Sequence, residues 1–219
     1  MLDGRGADVS AGAHDLVIRT DDGRELEAEL TWGDRTTPRA GVVLCHPHPQ
    51  YGGTMRSLVI SVLFAELSAA GFACLRFNFR GVEASTGSYD HGEGEQLDVL
   101  AAVATMANAV APAPVALVGW SFGADMSLTV VDPRVAGWVA IAPLLRFRPT
   151  FPAASERRPK HLVLAANDEF RPPGDVEEAV AGWTATTVAV VPGASHFFVG
   201  RTDRVVAETL AGLAGLATP

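Results

Sequence analysis

Only two cysteines, Cys45 and Cys74, occur in 219 residues, so no disulfide framework can exist and a reducing compartment is expected. Both fall within apolar runs, the setting of a buried structural thiol rather than a reactive one. No uninterrupted apolar stretch approaches the ~20 residues of a membrane-spanning helix. The first residues, Met1-Leu2-Asp3-Gly4-Arg5-Gly6, hold no apolar signal core. Basic residues are in the minority, 17 Lys and Arg against 25 Asp and Glu, and the formal net charge of −8 argues against a nucleic-acid partner. The glycines around Gly119 do not form Gly-x-Gly-x-x-Gly and the chain has no P-loop, which removes the phosphate cradle of a nucleotide-dependent oxidoreductase. Internal repeats and low-complexity segments are lacking too. These absences predict a soluble cytoplasmic protein with no nucleic-acid or membrane partner; its oligomeric state is not legible. A hydrophobic content of 48% over this length suffices for one domain with a sizeable core.

Gly4, Gly6, Ser10 and Gly12 mark residues 1–13 as a flexible tail, leaving 14–219 as a single domain. His14 to Thr20 and Glu25 to Trp32 read as two antiparallel strands around the turn Asp21-Asp22-Gly23. From Ala40 the pattern changes. Strands are expected at 41–45, 72–77, 115–118, 135–142, 161–166 and 187–191. Helices are expected at 54–70, 95–110, 124–131, 176–183 and 202–217. The inward face of the 54–70 helix would be Val59, Val62, Leu63, Leu67 and Ala70, that of 95–110 Leu97, Leu100, Ala101 and Ala104, and that of 202–217 Val206, Leu210, Leu213 and Ala214. Continuous apolar strands alternating with helical crossovers predict an α/β fold, a mostly parallel, doubly wound sheet with helices on both faces and the N-terminal antiparallel hairpin attached.

One stretch organises the rest. Val115 to Val118 is a short buried strand, and Gly119-Trp120-Ser121-Phe122-Gly123 follows it as Gly-x-Ser-x-Gly. A helical run comes next. In that strand–turn–helix setting the motif is a nucleophile elbow, with glycines where side chains two residues either side of the serine would collide.

Ligands of such sheets bind beyond the carboxyl ends of the strands. Ser121, Asp168 and His196 each fall at such an end, in the order Ser, Asp, His. Serine needs a base to take its proton, imidazole is the natural one, and a carboxylate would hold its tautomer; Asp168 is expected in that role, with Glu169 turned to solvent. An oxyanion needs two donors. Phe122 N–H is one. Pro47 and Pro49 have no N–H, so His48 supplies the other through its backbone, and His46 reads as structural. A metal reading of His46 and His48 lacks the further Cys, Asp or His ligands it needs, so none is expected.

With these motifs in hand, the chain resembles the α/β-hydrolase superfamily, and most of all the small, nearly lidless bacterial serine hydrolases related to dienelactone hydrolases. The matching residues are His46-Pro47-His48-Pro49-Gln50-Tyr51-Gly52-Gly53-Thr54-Met55, Leu75-Arg76-Phe77-Asn78-Phe79-Arg80-Gly81, Gly92-Glu93-Gly94-Glu95, the elbow, Asn167-Asp168-Glu169-Phe170 and Gly193-Ala194-Ser195-His196-Phe197-Phe198. The resemblance implies serine-dependent hydrolysis of a small ester or thioester without a cofactor; a binding or scaffold protein that kept the fold and lost catalysis is the alternative. Two departures stand out. Members with Arg-Gly-x-Gly-x-Ser usually carry glycine where this chain has Glu83, and dienelactone hydrolases use cysteine where this chain has Ser121. Lids in the superfamily usually follow the strand that here ends near Ala142, and only residues 143–160 separate it from the next. Within that minimal lid Leu144, Leu145, Phe147 and Phe151 either line an apolar wall or pack on the core. Arg146, Arg148, Arg157 and Arg158 form a solvated basic face or greet an acidic substrate. Arg80 reads as an ion-pair partner of Glu95 or Asp98.

Overall fold

The computed structural model describes residues 12–33 and 37–215. Among them, eight strands form one sheet: β1 (His14–Arg19), β2 (Glu25–Thr31), β3 (Gly41–Cys45), β4 (Ala73–Phe77), β5 (Val115–Trp120), β6 (Val135–Ile141), β7 (Lys160–Ala165) and β8 (Thr186–Val191), in the order β1-β2-β4-β3-β5-β6-β7-β8. β1 pairs antiparallel with β2, β2 antiparallel with β4, and the other five pairings are parallel. The expected α/β architecture is present. Residues 1–11 of the expected tail and 216–219 lie outside the described residues.

Five α-helices cover the two faces: α1 (Leu58–Ala69), α2 (Glu93–Val110), α3 (Phe122–Thr129), α4 (Pro173–Val180) and α5 (Thr202–Ala214). β3 shows why both faces must be covered. All five of its residues are buried; Val43 and Cys45 pack into the core with α2 and α3, while Val42 and Leu44 pack into the core with α1 and α5. A strand apolar on both sides leaves no face for water.

Three helices turn differently from the hydrophobic pattern; in α5 the buried residues are Val205, Thr209 and Leu213, with Val206 and Leu210 half-buried and Ala214 exposed. α1 starts at Leu58, after Ser57, and buries Val59, Ile60, Leu63, Phe64 and Leu67, so Ile60 and Phe64 replace Val62 and Ala70 on the inner face. α2 buries Glu95, Asp98, Val99, Ala102, Val103, Met106 and Val110, whereas Leu97 and Ala104 are only half-buried. Its inward face includes two carboxylates, which an apolar periodicity passes over. Glu95 accepts from Asp90 N and Gly92 N, both at 2.8 Å, and so caps its own helix. Asp98 takes Arg80 in a fork, Nη2 to Oδ1 at 2.7 Å and Nε to Oδ1 at 3.0 Å, and also accepts Arg80 N at 3.0 Å. The same guanidinium reaches Asp22 in the β1–β2 turn at 3.0 Å. Of the two partners expected for Arg80, Asp98 is the ion pair. The three residues tie the hairpin, the end of β4 and α2 together.

Asp98→Ala would leave a buried guanidinium with only the partly exposed Asp22. Removing one member of a buried pair costs about 3–5 kcal/mol. Equilibrium urea unfolding of Asp98→Ala is therefore expected to show a loss of that order, with the m-value unchanged.

Candidate active site

Ser121 sits between β5 and α3 with φ 56° and ψ −118°, a left-handed backbone that a non-glycine residue adopts only when its surroundings impose it. Two close approaches impose it here. A Cβ on Gly119 would overlap the Gly123 carbonyl and Ala124 N. A Cβ on Gly123 would overlap the carbonyl groups of Cys45 and His46 at the end of β3. Both motif glycines are thus required by backbone contact, as the sequence argument supposed.

The structure brings Ser121, His196 and Asp168 together. His196 Nε2 lies 2.9 Å from Ser121 Oγ, and His196 Nδ1 lies 2.8 Å from Asp168 Oδ2. A carboxylate accepts only, so Nδ1 carries the proton and the Nε2 lone pair faces the serine hydroxyl. Burial pushes the Asp168 carboxyl upward, but the His196 hydrogen bond and charge, with the N–H groups of Phe170 and Arg171, hold it below the ordinary carboxylate value. Phe170 N at 2.9 Å and Arg171 N at 3.1 Å bond its second oxygen.

The loop that carries His196 is pinned by two residues the sequence argument missed in this role. Trp120, the last residue of β5, donates Nε1–H to His196 O at 3.2 Å. Glu169 is exposed, as expected, and also accepts His196 N at 3.1 Å, so it holds the loop. The side chain next to Asp168 is long enough to reach across to the His196 backbone while Asp168 takes the ring.

Of the residues expected to supply the two backbone donors for an oxyanion, Phe122 follows Ser121 in the chain and His48 lines the cleft that Ser121 opens into. Phe122 N–H is at the first position of α3, where a helix has no acceptor for it. His48 lines the same cleft, and its N–H makes no hydrogen bond among the described residues. The His48 ring is held by an accepted bond from Gln50 N at 3.2 Å and by the rings of Tyr51, Tyr89, Phe122 and Phe147, with centroids 4.7 to 5.0 Å away. His46 is fully buried and bonded at both nitrogens, Nδ1 to Pro47 O at 2.6 Å and Nε2 from Phe79 N at 3.0 Å. Neither nitrogen is left for a metal. Among the described residues no group of three or more His, Cys, Asp or Glu could hold one.

Ser121 and His196 open into a cleft of about 630 Å³. Leu144 and Phe147 form part of its wall, while Leu145 and Phe151 pack on the core, Phe151 against Trp183. Tyr51 (85% exposed), Phe170 (47%) and Phe197 (46%) stand at its mouth. Of the four loop arginines, Arg148 pairs with Glu93 and Arg158 with Glu156, and Arg157 is exposed; only Arg146 lines the cleft. Glu83 occupies a position with φ 47°, which explains why glycine is the usual resident. Here the side chain is used: it accepts from Arg56 Nη1 and Asn78 Nδ2, both at 3.1 Å.

Comparison with known proteins places this geometry. The model of the alpha/beta hydrolase family matches residues 42–159, more than half of the chain. The chain belongs to the alpha/beta hydrolase family. It is 31% identical over 195 residues to an uncharacterized protein of Rickettsia prowazekii (strain Madrid E), covering 83% of this chain and 82% of that one. An alpha-beta serine hydrolase homologue from Coxiella burnetii superposes with a TM-score of 0.80 at 32% identity, over 91% of this chain and 97% of the other. A serine hydrolase without lid from Xanthomonas campestris gives 0.85 at 26% identity, over 96% and 98%. No helix among the described residues of this alpha/beta hydrolase is long and apolar enough to cross a membrane.

Burial lowers the His46 pKa to about 3 from an ordinary 6.5. The unfolded chain takes up a proton near pH 6.5 while the folded protein does not, so the stability given by neutral His46 is present above pH 6.5 and is lost as pH falls toward 3. The slope from this one group is up to about 1.4 kcal/mol per pH unit. Urea midpoints of wild type and His46→Gln between pH 7 and pH 4 are expected to converge as the pH drops.

Proposed function

We propose that this protein is a serine hydrolase that cleaves small esters or thioesters through an acyl-enzyme, with Ser121 as nucleophile, His196 as general base and acid, and Asp168 as the group that orients the imidazole. The observation that carries the reading is the continuous hydrogen-bond chain from Asp168 through His196 to Ser121 at the floor of a cleft. The serine hydrolase neighbours and the family membership support it.

In the acylation step Ser121 Oγ attacks the carbonyl carbon as His196 Nε2 takes its proton. The carbonyl oxygen becomes an oxyanion between the N–H groups of Phe122 and His48, each lost donor of this kind costing about 10²–10³ in kcat. Collapse expels the alcohol or thiol, which leaves with the proton from His196. Water then repeats the attack on the acyl-serine, His196 serving again as base and returning the proton to Ser121 Oγ. Asp168 stays ionised and stabilises the imidazolium formed in both steps. The chemistry asks for no cofactor. The two unpaired, buried thiols fit the reducing cytoplasm.

A scaffold of the same fold would have no use for an acylatable serine, so a fluorophosphonate probe separates the readings. Stoichiometric labelling with the adduct on the Ser121 peptide is expected; no adduct, or one on Ser195 or Cys45, overturns the assignment. Asp168→Asn is expected to lower kcat by roughly 10³–10⁴ with the fold retained, and Glu169→Gln, whose amide oxygen still accepts His196 N–H, far less.

The rim rings are themselves half or more in water, so a long acyl chain crossing them stays wet. Each fully buried CH₂ would contribute about 0.8 kcal/mol, and little of that is available here. Acyl groups of about two to six carbons are expected to be preferred, because extra methylenes add little transition-state binding. The measurement is kcat/KM over p-nitrophenyl esters of rising acyl length; a steady climb past C8 at the full-burial increment would contradict it.

A further inference from the structure

One buried carboxylate beside the Ser121 elbow has no part in the mechanism. Asp125 lies on α3, four residues past Ser121, and is fully buried. Its oxygens accept four consecutive backbone N–H groups: Leu144 at 3.0 Å and Leu145 at 2.8 Å on Oδ1, Arg146 at 2.9 Å and Phe147 at 3.3 Å on Oδ2. Residues 144–147 wrap the carboxylate, and Leu145 takes φ 50° to make the turn. The other side of the same segment is held by Arg171. Its Nη1 donates to Leu144 O and, at 3.4 Å, to Leu145 O, while its own N–H bonds Asp168.

The segment so gripped is the cleft wall. Leu144 and Phe147 face the space above Ser121, and the Phe147 ring packs on Phe122 and His48, with centroids 5.1 and 5.0 Å away. The wall is therefore fixed to the serine through α3 and to the acid through Arg171. Burial pushes the Asp125 carboxyl up to about 6 in spite of four N–H donors; among the described residues no cation bonds it. A carboxylate kept at such cost, with every bond spent on one pocket segment, serves that segment's position.

We propose that Asp125 and Arg171 are positioning residues that set the distance between Ser121 and the Leu144–Phe147 wall, and thereby decide how well the enzyme uses esters whose bulk rests on that wall. This rests on the serine-hydrolase reading given above. Asparagine at 125 can still take one pair of N–H groups, but its own NH₂ would point at the other pair, so the wall shifts. Methionine at 171 keeps the N–H to Asp168 and loses the grip on the wall carbonyls, together with the Nη2 bond to Asp175 O on α4 at 3.3 Å.

The test follows hydrolysis of ethyl acetate, ethyl hexanoate and benzyl acetate in a pH-stat by wild type, Asp125→Asn and Arg171→Met, with circular dichroism as the check on folding. In at least one bulky-to-small pair, the kcat/KM ratio is expected to fall about tenfold in the variants, with the loss in KM rather than kcat, because uniform binding contacts are removed and the reacting groups are kept. Arg171→Met carries the test alone if Asp125→Asn does not fold. Unchanged ratios, or an equal fall on all three esters through kcat in folded protein, overturn the inference while the serine mechanism stands. Wild-type protein that hydrolyses none of the three overturns that mechanism and this inference with it.

Discussion

The first turn of α3 presses on the end of β3 so closely that no side chain fits between them, and the site depends on that contact. Gly123 meets the carbonyl groups of Cys45 and His46. The approach fixes where Ser121 stands, in a conformation it would not hold alone. It also sets Phe122 N–H beside the loop that carries His48. From the same helix Asp125 reaches the wall segment. One steric limit between a helix and a strand thus settles how Ser121, Phe122 and the wall stand to one another. The parallel strands β7 and β8 then deliver Asp168 and His196 from their own ends.

Charge hidden inside the molecule does the bracing. Arg80, Asp98 and Asp22 join the antiparallel hairpin to the parallel body. Glu95 closes the start of α2. Arg76 of β4 pairs with the buried Glu29 of β2, which the exposed Arg56 joins from the segment before α1. Buried pairs of this sort add little net stability over an apolar core, but they demand fixed partners, and so hold loops that apolar contacts alone would let slide.

How much of this was legible in the sequence follows from which force wrote each part. The strands were legible because a strand buried on both faces must be apolar throughout, as Gly41–Cys45 is. Ser121, Asp168 and His196 were legible because the sheet puts strand ends on one side and their chain order matched. The face of α2 was misread, since Glu95 and Asp98 point inward to meet backbone N–H groups and Arg80, and hydrophobic period counts only apolar residues. Glu169, Trp120 and Arg171 were missed because their partners are backbone atoms, which leave no trace of residue type. Asp125 did leave a signal: an acid within Phe122–Thr129, a helix otherwise free of charge and buried along its whole length. Such a residue must have donors waiting, though the sequence does not say which.

The aromatic rings at the mouth have a thermodynamic consequence. Tyr51, Phe170 and Phe197 hold apolar surface in water beside the cleft. A ligand that settles over them takes that surface out of water along with its own. Association should then carry a negative heat-capacity change, the robust mark of apolar burial, so that the enthalpy of binding grows more favourable with warming while the entropy grows less so. Affinity measured at one temperature would conceal that exchange; its size would report how much of the rim each ligand covers.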